Sequence, residues 1–464
     1  MMARYSIIMA AGKGTRMKSD LPKVLHEVGG KPMVEMVLDM ILAVGVDQIV
    51  TVVGHGAQQV KAQISDRSEV VKQTQQLGTG HAVLMTEPLL GTKSGVTLIA
   101  SGDAPLFTQQ TYTKLFEWHE QSGNAVTVLT AKAPNPFGYG RIIRDEKGHV
   151  LRIVEQKDAT DVEAAVDEVN TGVYVFDNQL LFQALRLVTN ENAQGEYYLP
   201  DTLSILREQG QTVGAYQMAD FTESMGVNDR IALAEANRIL RQRINQQHMR
   251  NGVTLIDPTT TYIDADVTIG PDTVIEGNVT LKGQTEVGSH VILTNGTRMI
   301  ASQVADDVVI QSSTLDHAKV ATGVTIGPYA HLRPGAILDA RAHVGNFVEV
   351  KQAHLGADAK AGHLSYIGDA TVGQAVNIGA GTIFVNYDGQ NKYQTLVGDR
   401  AFIGSNTKLI APVVLGDETI TAAGSTITDD IPIHAMGIAR SRQTNKIDFW
   451  KKTALFKKFS GPKQ

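Results

Sequence analysis

The sequence predicts two folds in one chain: an α/β domain on a mostly parallel sheet, then a parallel β-helix. Up to about residue 250, short β-branched runs alternate with segments of helical spacing, the pattern of strands joined by crossover helices. After Asn251 the apolar residues recur every six positions. Neither helix periodicity nor strand alternation produces that repeat, whereas a hexapeptide coil does. The composition agrees: of 464 residues 44 are glycine and only 6 % aromatic, which suits tight turns and a narrow aliphatic interior.

In chain order, Tyr5–Ala11 reads as the first strand and is followed by glycines. Lys31–Val44 has helical spacing through Met33, Val37, Leu38, Ile41 and Leu42. Gln48–Val53, Val96–Ala100 and Ala125–Thr130 read as further strands. The pattern turns helical from Asn228 to Met249. Asn228 or Asp229 can cap it, Ile231, Leu240 and Ile244 lie near one face with Ile239 beside them, and Gly252 stands as the stop. A helix of this length between two different compositions reads as a linker. The expected divisions are therefore 1–229, a linker helix 230–250, a β-helix 251–440 and a basic tail 441–464.

The six-residue period runs through Ile263, Ile269, Ile275, Leu281, Val287 and Leu293, and again through Ile326, Leu332, Leu338, Val344 and Val350. A third block runs Val397, Ile403, Leu409, Leu415, slips at Thr421 and resumes at Ile427. Each aliphatic residue is expected to point into the coil axis, with a small residue after it where the chain turns, as in Ile269-Gly270, Val344-Gly345 and Ile403-Gly404. Coincidental spacing in a β-sandwich would not give such unbroken runs.

Composition excludes several functions. A net charge of -6 with 19 % charged residues argues against a nucleic-acid partner or an anionic membrane surface. Cysteine is absent, which excludes disulfide scaffolds, thiolate zinc sites and cysteine nucleophiles. No uncharged apolar run is long enough for a membrane span, and the N-terminus lacks a signal-peptide pattern, so the expected compartment is the cytoplasm.

The first chemical motif is Ala10-Ala11-Gly12-Lys13-Gly14-Thr15-Arg16-Met17, with Leu21-Pro22-Lys23 shortly after. A Walker A loop needs serine or threonine directly after Gly-Lys, where Gly14 stands, and the dinucleotide fingerprint needs a small residue where Met17 stands, so neither applies. What remains is a glycine loop with Lys13, Arg16 and Lys23, suited to phosphate, or else a basic surface turn. Ser101-Gly102-Asp103-Ala104-Pro105 closes the Val96–Ala100 strand, where ligands of parallel sheets bind.

With Gln76-Leu77-Gly78-Thr79-Gly80-His81-Ala82, Tyr139-Gly140-Arg141, Glu155, Asn170-Thr171-Gly172 and Gly226-Val227-Asn228, the first half resembles the sugar-1-phosphate nucleotidyltransferases. From about residue 5 to 442 the chain resembles the bifunctional N-acetylglucosamine-1-phosphate uridyltransferase/glucosamine-1-phosphate acetyltransferase family. The resemblance implies a Rossmann-like α/β nucleotidyltransferase domain and a left-handed parallel β-helix. It implies uridyl transfer from UTP to a sugar phosphate, with Asp103 and Asn228 holding Mg²⁺. Met9, Ala10, Ala11, Gly12, Lys23, Gln73, Gly78 and Thr79 would meet the nucleotide. Arg16 and Lys23 would stabilise the triphosphate, and Gly140, Glu155, Asn170 and Asn228 would hold the sugar phosphate.

The second half carries His317, His331, His343, His354 and His363 without close metal-ligand pairing. His363 lies where the six-residue rhythm breaks between Leu355 and Ile367. On pattern alone it reads as a corner histidine. The resemblance implies instead a general base for N-acetylation by acetyl-CoA, a task suited to an imidazole. By the same resemblance Arg333, Lys351, Tyr366 and Asn377 bind the sugar phosphate, and Asn386, Tyr387, Ser405, Ala423 and Arg440 meet acetyl-CoA. Phe384 and Val385 depart from the small or polar residues usual there, which touches the coenzyme pocket. The residues after Arg440 also depart. The resemblance further implies a homotrimer through the β-helix.

The tail Ser441–Gln464 has seven basic residues against one acid, interleaved with Phe449, Trp450, Leu455, Phe456 and Phe459. It reads as a short helix over the open end of the coil, or as a basic amphipathic segment for an acidic partner or membrane. Three functions stay distinguishable: a two-site enzyme, a nucleotidyltransferase with a structural β-helix, and a scaffold. His363 with Asn386-Tyr387-Asp388-Gly389 favours the first over the second.

Overall fold

The structure is a computed structural model that describes residues 2–460; Met1 and the last four residues of the basic tail lie outside them. The chain divides into two compact units, Met1–Gln246 with Ile263–Ala265, and Gln247–Tyr262 with Asp266–Gln464.

The first unit is built on a twisted sheet whose strands run in the order Val213–Gln217, Val126–Lys132, Glu168–Asp177, Val96–Ser101, Arg4–Ala10, Gln48–Val53 and Glu69–Lys72. Alternate side chains leave a strand on opposite faces, so neighbours in sequence serve two cores. Ile7 packs with Val50, Val52 and Leu203 on one face. Ile8 packs with Val37, Leu38, Ile41 and Phe116 on the other. The sheet is not wholly parallel. Glu168–Asp177 runs antiparallel to both of its neighbours, and the sequence reading did not anticipate it. The first strand spans Arg4–Ala10, one residue earlier than expected, and the later one spans Val126–Lys132, starting one residue and ending two residues beyond expectation.

One helix start and the apolar face of the other helix need correction. The helix expected over Lys31–Val44 begins at Met33. Lys31–Pro32 pairs antiparallel with Glu27–Val28 instead, because proline disfavours helical backbone in the residue before it. The second helix spans Arg230–Arg250. Asp229 is its cap, its Oδ1 accepting from the Ile231 and Ala232 N–H groups at 3.0 and 2.9 Å. Asn228 stays outside the helix. The buried face is Ala236 and Ile239, packed with Val28, Met33 and Leu106, while Ile231 is 83 % exposed.

The second unit is a left-handed parallel β-helix of two- to seven-residue strands. Every strand pairs in parallel with its equivalent one coil on, as in Ile292↔Val309↔Thr325↔His343↔Lys360↔Asn377. The predicted inward residues are buried throughout, except Ile269, which is half-buried. The two apparent faults in the rhythm are filled. Thr421 is buried as the register partner of Ile403, and its Oγ1 accepts from the Gly404 N–H at 2.9 Å. Ala361 occupies the interior between Leu355 and Ile367 and pairs with Val344. Small residues hold the inward row there; the coil itself does not break. Between the predicted blocks, Met299, Val304, Ile310, Leu315 and Val320 continue the row at steps of five and six.

The glycines after the aliphatic residues are present for a different reason from the one expected. Turning falls two residues later, on non-glycine residues in the left-handed region: Asp272 after Gly270, Phe347 after Gly345, Asn406 after Gly404. The glycines permit close approach between coils. A Cβ on Gly345 would lie 1.9 Å from the Gly362 carbonyl oxygen, and one on Gly404 would lie 2.4 Å from that of Thr421.

The tail forms a short 3-10 turn, Phe449–Lys452, and a helix, Ala454–Ser460, with no buried side chain among its described residues. Among the described residues, no helix is long and apolar enough to cross a membrane.

Candidate active sites

In the first unit, two cavities of about 540 and 240 Å³ share Met9, Thr79, Ser101 and Asp103 on their walls. They lie at the carboxyl ends of the first strand and of Val96–Ser101, where a parallel sheet presents its loops. The smaller is lined by Met9, Ala10, Ala11, Gly12, Lys23, Gln73, Gly78 and Thr79. The larger is lined by Arg16, Asp103, Gly140, Glu155, Asn170 and Asn228. The structure therefore brings together every residue that the resemblance assigned to the uridyl site, while Lys13 of the glycine loop lines neither cavity.

Local backbone explains much of this. A Cβ on Gly12 would meet no protein atom within 4 Å, so the loop is open on that side. Gly78 has φ +112, and a Cβ there would lie 2.5 Å from the Tyr197 carbonyl oxygen. The Thr79 hydroxyl accepts from the Leu199 N–H at 3.0 Å. Gln73 is buried, its Nε2 donating to the Gly78 carbonyl at 3.2 Å and lying 3.0 Å from His81 Nδ1.

The charged centre is compact. The Lys23 ammonium bonds the Asp103 carboxylate and donates to Asn228 Oδ1 at 3.1 Å. Ser101 Oγ donates to the other Asp103 oxygen at 2.5 Å. Two oxygen ligands thus converge on one cation, a donor set that fits a hard divalent ion. Among the described residues, no group of three or more His, Asp or Glu could hold a metal, so most ligands of such an ion would come from phosphate and water.

At the other end of the larger cavity, burial, followed by Asp158 and Asp201, pushes the Glu155 carboxyl above its ordinary range. Asn170 Nδ2 donates to the buried Tyr174 hydroxyl at 2.7 Å. A Cβ on Gly140 would sit 3.0 Å from Ile153 and 3.3 Å from Glu155 Oε1, so glycine keeps that wall close. Ser101 and Tyr139, which stand within two of the quoted motifs, also line the cavity, and so does Tyr174, which no motif contains.

In the second unit, a polar cluster forms where adjacent coils stack. Arg333 Nη1 donates to Glu349 Oε1 at 2.8 Å. Lys351 Nζ stands 3.1 Å from Asp369 Oδ2. Asn386 Nδ2 bonds the same carboxylate and lies 3.4 Å from the Tyr366 hydroxyl. Burial works against the charge on Lys351, but the Asp369 carboxylate holds its ammonium above the usual range. Arg333, Lys351, Tyr366 and Asn386 are thus gathered, together with Glu349, Asp369 and Lys392, which sequence reasoning missed. Lys392 stands on an excursion whose Tyr387 bridges to Lys392, and Tyr387 itself is exposed.

His363 ends the strand Lys360–His363. Asn377 begins the next strand of the same sheet. The register carries on: Phe402 follows Asn377, and Ile420 follows Phe402. Ser405 and Ala423 each stand three residues beyond those partners, as His363 stands three beyond Lys360, so the three share one exposed column. Arg440 is exposed beyond the last strand, Met436–Gly437. Phe384 is fully buried and pairs with Leu409 inside the coil. Its departure from the expected pattern therefore alters the interior and leaves the outer face alone; Val385 is half-buried.

Comparison with known proteins supports both units. A model of the nucleotidyl transferase family matches residues 5–238. The chain is 59 % identical over 456 residues to the bifunctional protein GlmU of Lactobacillus johnsonii, covering 98 % of this chain and 99 % of the relative. It is 56 % identical over 454 residues to that of Lactobacillus delbrueckii subsp. bulgaricus, covering 98 % of each. With that of Streptococcus agalactiae serotype V it shares 56 % over 445 residues, 96 % of this chain and 97 % of the relative. A nucleotidyl transferase unit and a hexapeptide β-helix, matched along nearly their whole length, make this chain a member of the bifunctional GlmU family.

Proposed function

We propose that the protein makes UDP-N-acetylglucosamine in two steps at two sites. The β-helix transfers an acetyl group from acetyl-CoA to the amine of glucosamine 1-phosphate, and the α/β unit then transfers uridylate from UTP to the product. The observation that carries the reading is the convergence of Arg16, Lys23, Asp103, Glu155, Asn170 and Asn228 on adjoining cavities of the first unit, together with a separate cluster of Arg333, Lys351, Tyr366 and Asn386 on the coil of the second.

At the first site the reaction is a displacement on phosphorus, in which positioning and charge neutralisation supply most of the rate. The sugar phosphate oxygen attacks the α-phosphorus of UTP and pyrophosphate departs. Gly12 gives the triphosphate room, and Arg16 and Lys23 face its negative charge. Gln73 and Gly78 meet the base, while Gly140, Glu155 and Asn170 orient the sugar. Asp103 and Asn228 would hold Mg²⁺, which neutralises phosphate charge when bound.

At the second site Arg333 and Lys351 hold the sugar phosphate, and Tyr366 and Asn377 orient the ring. His363 takes the proton that the amine loses as its nitrogen attacks the thioester carbon. That proton then passes to the departing coenzyme sulfur. Asn386, Tyr387, Ser405, Ala423 and Arg440 form the coenzyme side. The exposed column of the coil is completed by a second copy in a homotrimer. UTP and acetyl-CoA are soluble co-substrates, and the reading places the enzyme in the cytoplasm, without nucleic acid.

The decisive experiment offers the purified protein glucosamine 1-phosphate, acetyl-CoA, UTP and Mg²⁺ with omission controls. UDP-N-acetylglucosamine forming only in the complete mixture is the expected result. Pyrophosphate release from UTP and N-acetylglucosamine 1-phosphate without any coenzyme A release from the amino sugar would favour a single-activity enzyme.

A further inference from the structure

His363 and Asn346 occupy equivalent places on successive coils. The strand His343–Asn346 pairs with Lys360–His363, and Asn346 is the register partner of His363. Each is preceded by a glycine and followed by a corner residue in the left-handed region, Phe347 and Leu364. The glycines set the distance. A Cβ on Gly345 would lie 1.9 Å from the Gly362 carbonyl oxygen, so any other residue there would push the two coils apart.

Close approach puts His363 Nδ1 at 3.1 Å from Asn346 Oδ1. An amide oxygen has no hydrogen to give, so Nδ1–H of the imidazole is the donor and Nε2 is left with its lone pair. The backbone is fixed at the same place. The Leu364 N–H donates to the Asn346 carbonyl at 3.0 Å, and Ser365 Oγ donates to the His363 carbonyl at 2.9 Å. The titratable groups that face the pair are His343 on the neighbouring strand and Lys360 on the same strand; the strand Asn377–Ile378 on the other side brings no charge. Burial, then Lys360 and His363, hold His343 below the usual imidazole range.

We propose that Asn346 is a positioning residue for acetyl transfer: its side-chain carbonyl fixes the tautomer and the ring direction of His363, so that Nε2 is the atom that takes the amine proton. The inference rests on the reading of His363 as the base. A neutral partner has a consequence that a carboxylate would not: it orients the ring without raising its basicity.

The test measures acetyl transfer by coenzyme A release, across pH, in the full-length enzyme and three variants. Asn346→Leu keeps the shape and removes the acceptor; kcat is expected to fall by about 10- to 100-fold, with KM for both substrates and uridyl transfer within about twofold of wild type. Asn346→Asp keeps the acceptor and adds charge; it is expected to retain most of kcat above pH 8 and to move the acid limb of the kcat/KM profile up by about one unit. His363→Ala is expected to lose acetyl transfer. Acetyl transfer that survives in His363→Ala overturns the base reading and this inference with it. Loss in His363→Ala combined with an unmoved acid limb in Asn346→Asp, or with near-normal kcat in Asn346→Leu, overturns the positioning role alone.

Discussion

Lys23 and Asp103 form an ion pair across 80 residues of sequence, each side chain 15 % exposed, with Asn228, just before the long helix and its cap, completing the contact. The glycine loop, the tip of a central strand and the helix entrance meet at that pair. Removing the carboxylate leaves a half-buried ammonium and takes away an oxygen ligand for a divalent ion. Asp103→Ala is expected to lower Mg²⁺-dependent pyrophosphate release by at least about 100-fold. Acetyl transfer, built in the other unit, should be unchanged, as measured by coenzyme A release.

Gly12 and Gly345 are both glycines beside proposed chemistry, yet alanine should act on them in different ways. A Cβ on Gly12 meets no protein atom. Gly12→Ala should fold with an unchanged melting temperature and raise KM for UTP by about tenfold or more, because the methyl group enters space reserved for the nucleotide. Gly345→Ala forces a Cβ onto the next coil. It should lower the melting temperature of the β-helix and reduce acetyl transfer, with pyrophosphate release preserved.

Glu155 carries a carboxyl whose folded-state pKa is raised by burial and by Asp158 and Asp201. A raised carboxyl pKa means that stability is present below the unfolded value and is lost as pH rises through the folded one. Glu155→Gln should therefore raise the melting temperature at pH 8. The difference should close as pH falls below about 4, where both states hold the proton. The same change should raise KM for N-acetylglucosamine 1-phosphate, since Glu155 lines the larger cavity. Melting curves at pH 4 and 8 check the first outcome and kinetics the second.

Phe384 is fully buried at the coil interior, in register with Leu409. Phe384→Ala leaves a cavity there and is expected to cost about 3–5 kcal/mol. Phe384→Leu should cost less than half of that, with acetyl-CoA KM unchanged, because the side chain does not face the outer column. Denaturant unfolding of the β-helix, followed with coenzyme A release, distinguishes packing loss from pocket damage.

Hydrophobic period was enough to read an α/β unit and a hexapeptide coil, because burial forces aliphatic residues to recur at the spacing of the element that buries them; the hand of the coil came from the family resemblance. The family resemblance, with the rule that loops at the carboxyl ends of parallel strands share one crevice, grouped Gly12, Lys23 and Asp103. Where small residues stood in the inward row, as at Ala361 and Thr421, the period disappeared from the sequence although the coil continued. The antiparallel strand Glu168–Asp177 was equally silent, since its continuous buried run Val173–Phe176 reads as a strand covered on both faces whichever way it runs.

The amino-acid sequence by itself determined the two architectures, the glycine loop proposed for phosphate and the list of residues able to do chemistry. Only the tertiary structure decided which of them touch. Coil partners are 16 residues apart at Arg298↔Thr314, 18 at Lys319↔Ile337 and 25 at Thr371↔Leu396, where the Asn386 excursion intervenes. Pairs such as Lys351–Asp369 and Asn346–His363 depend on that register. A period of six leaves the register open, because shortened corners and an excursion change the length of a coil without changing the residues that face inward.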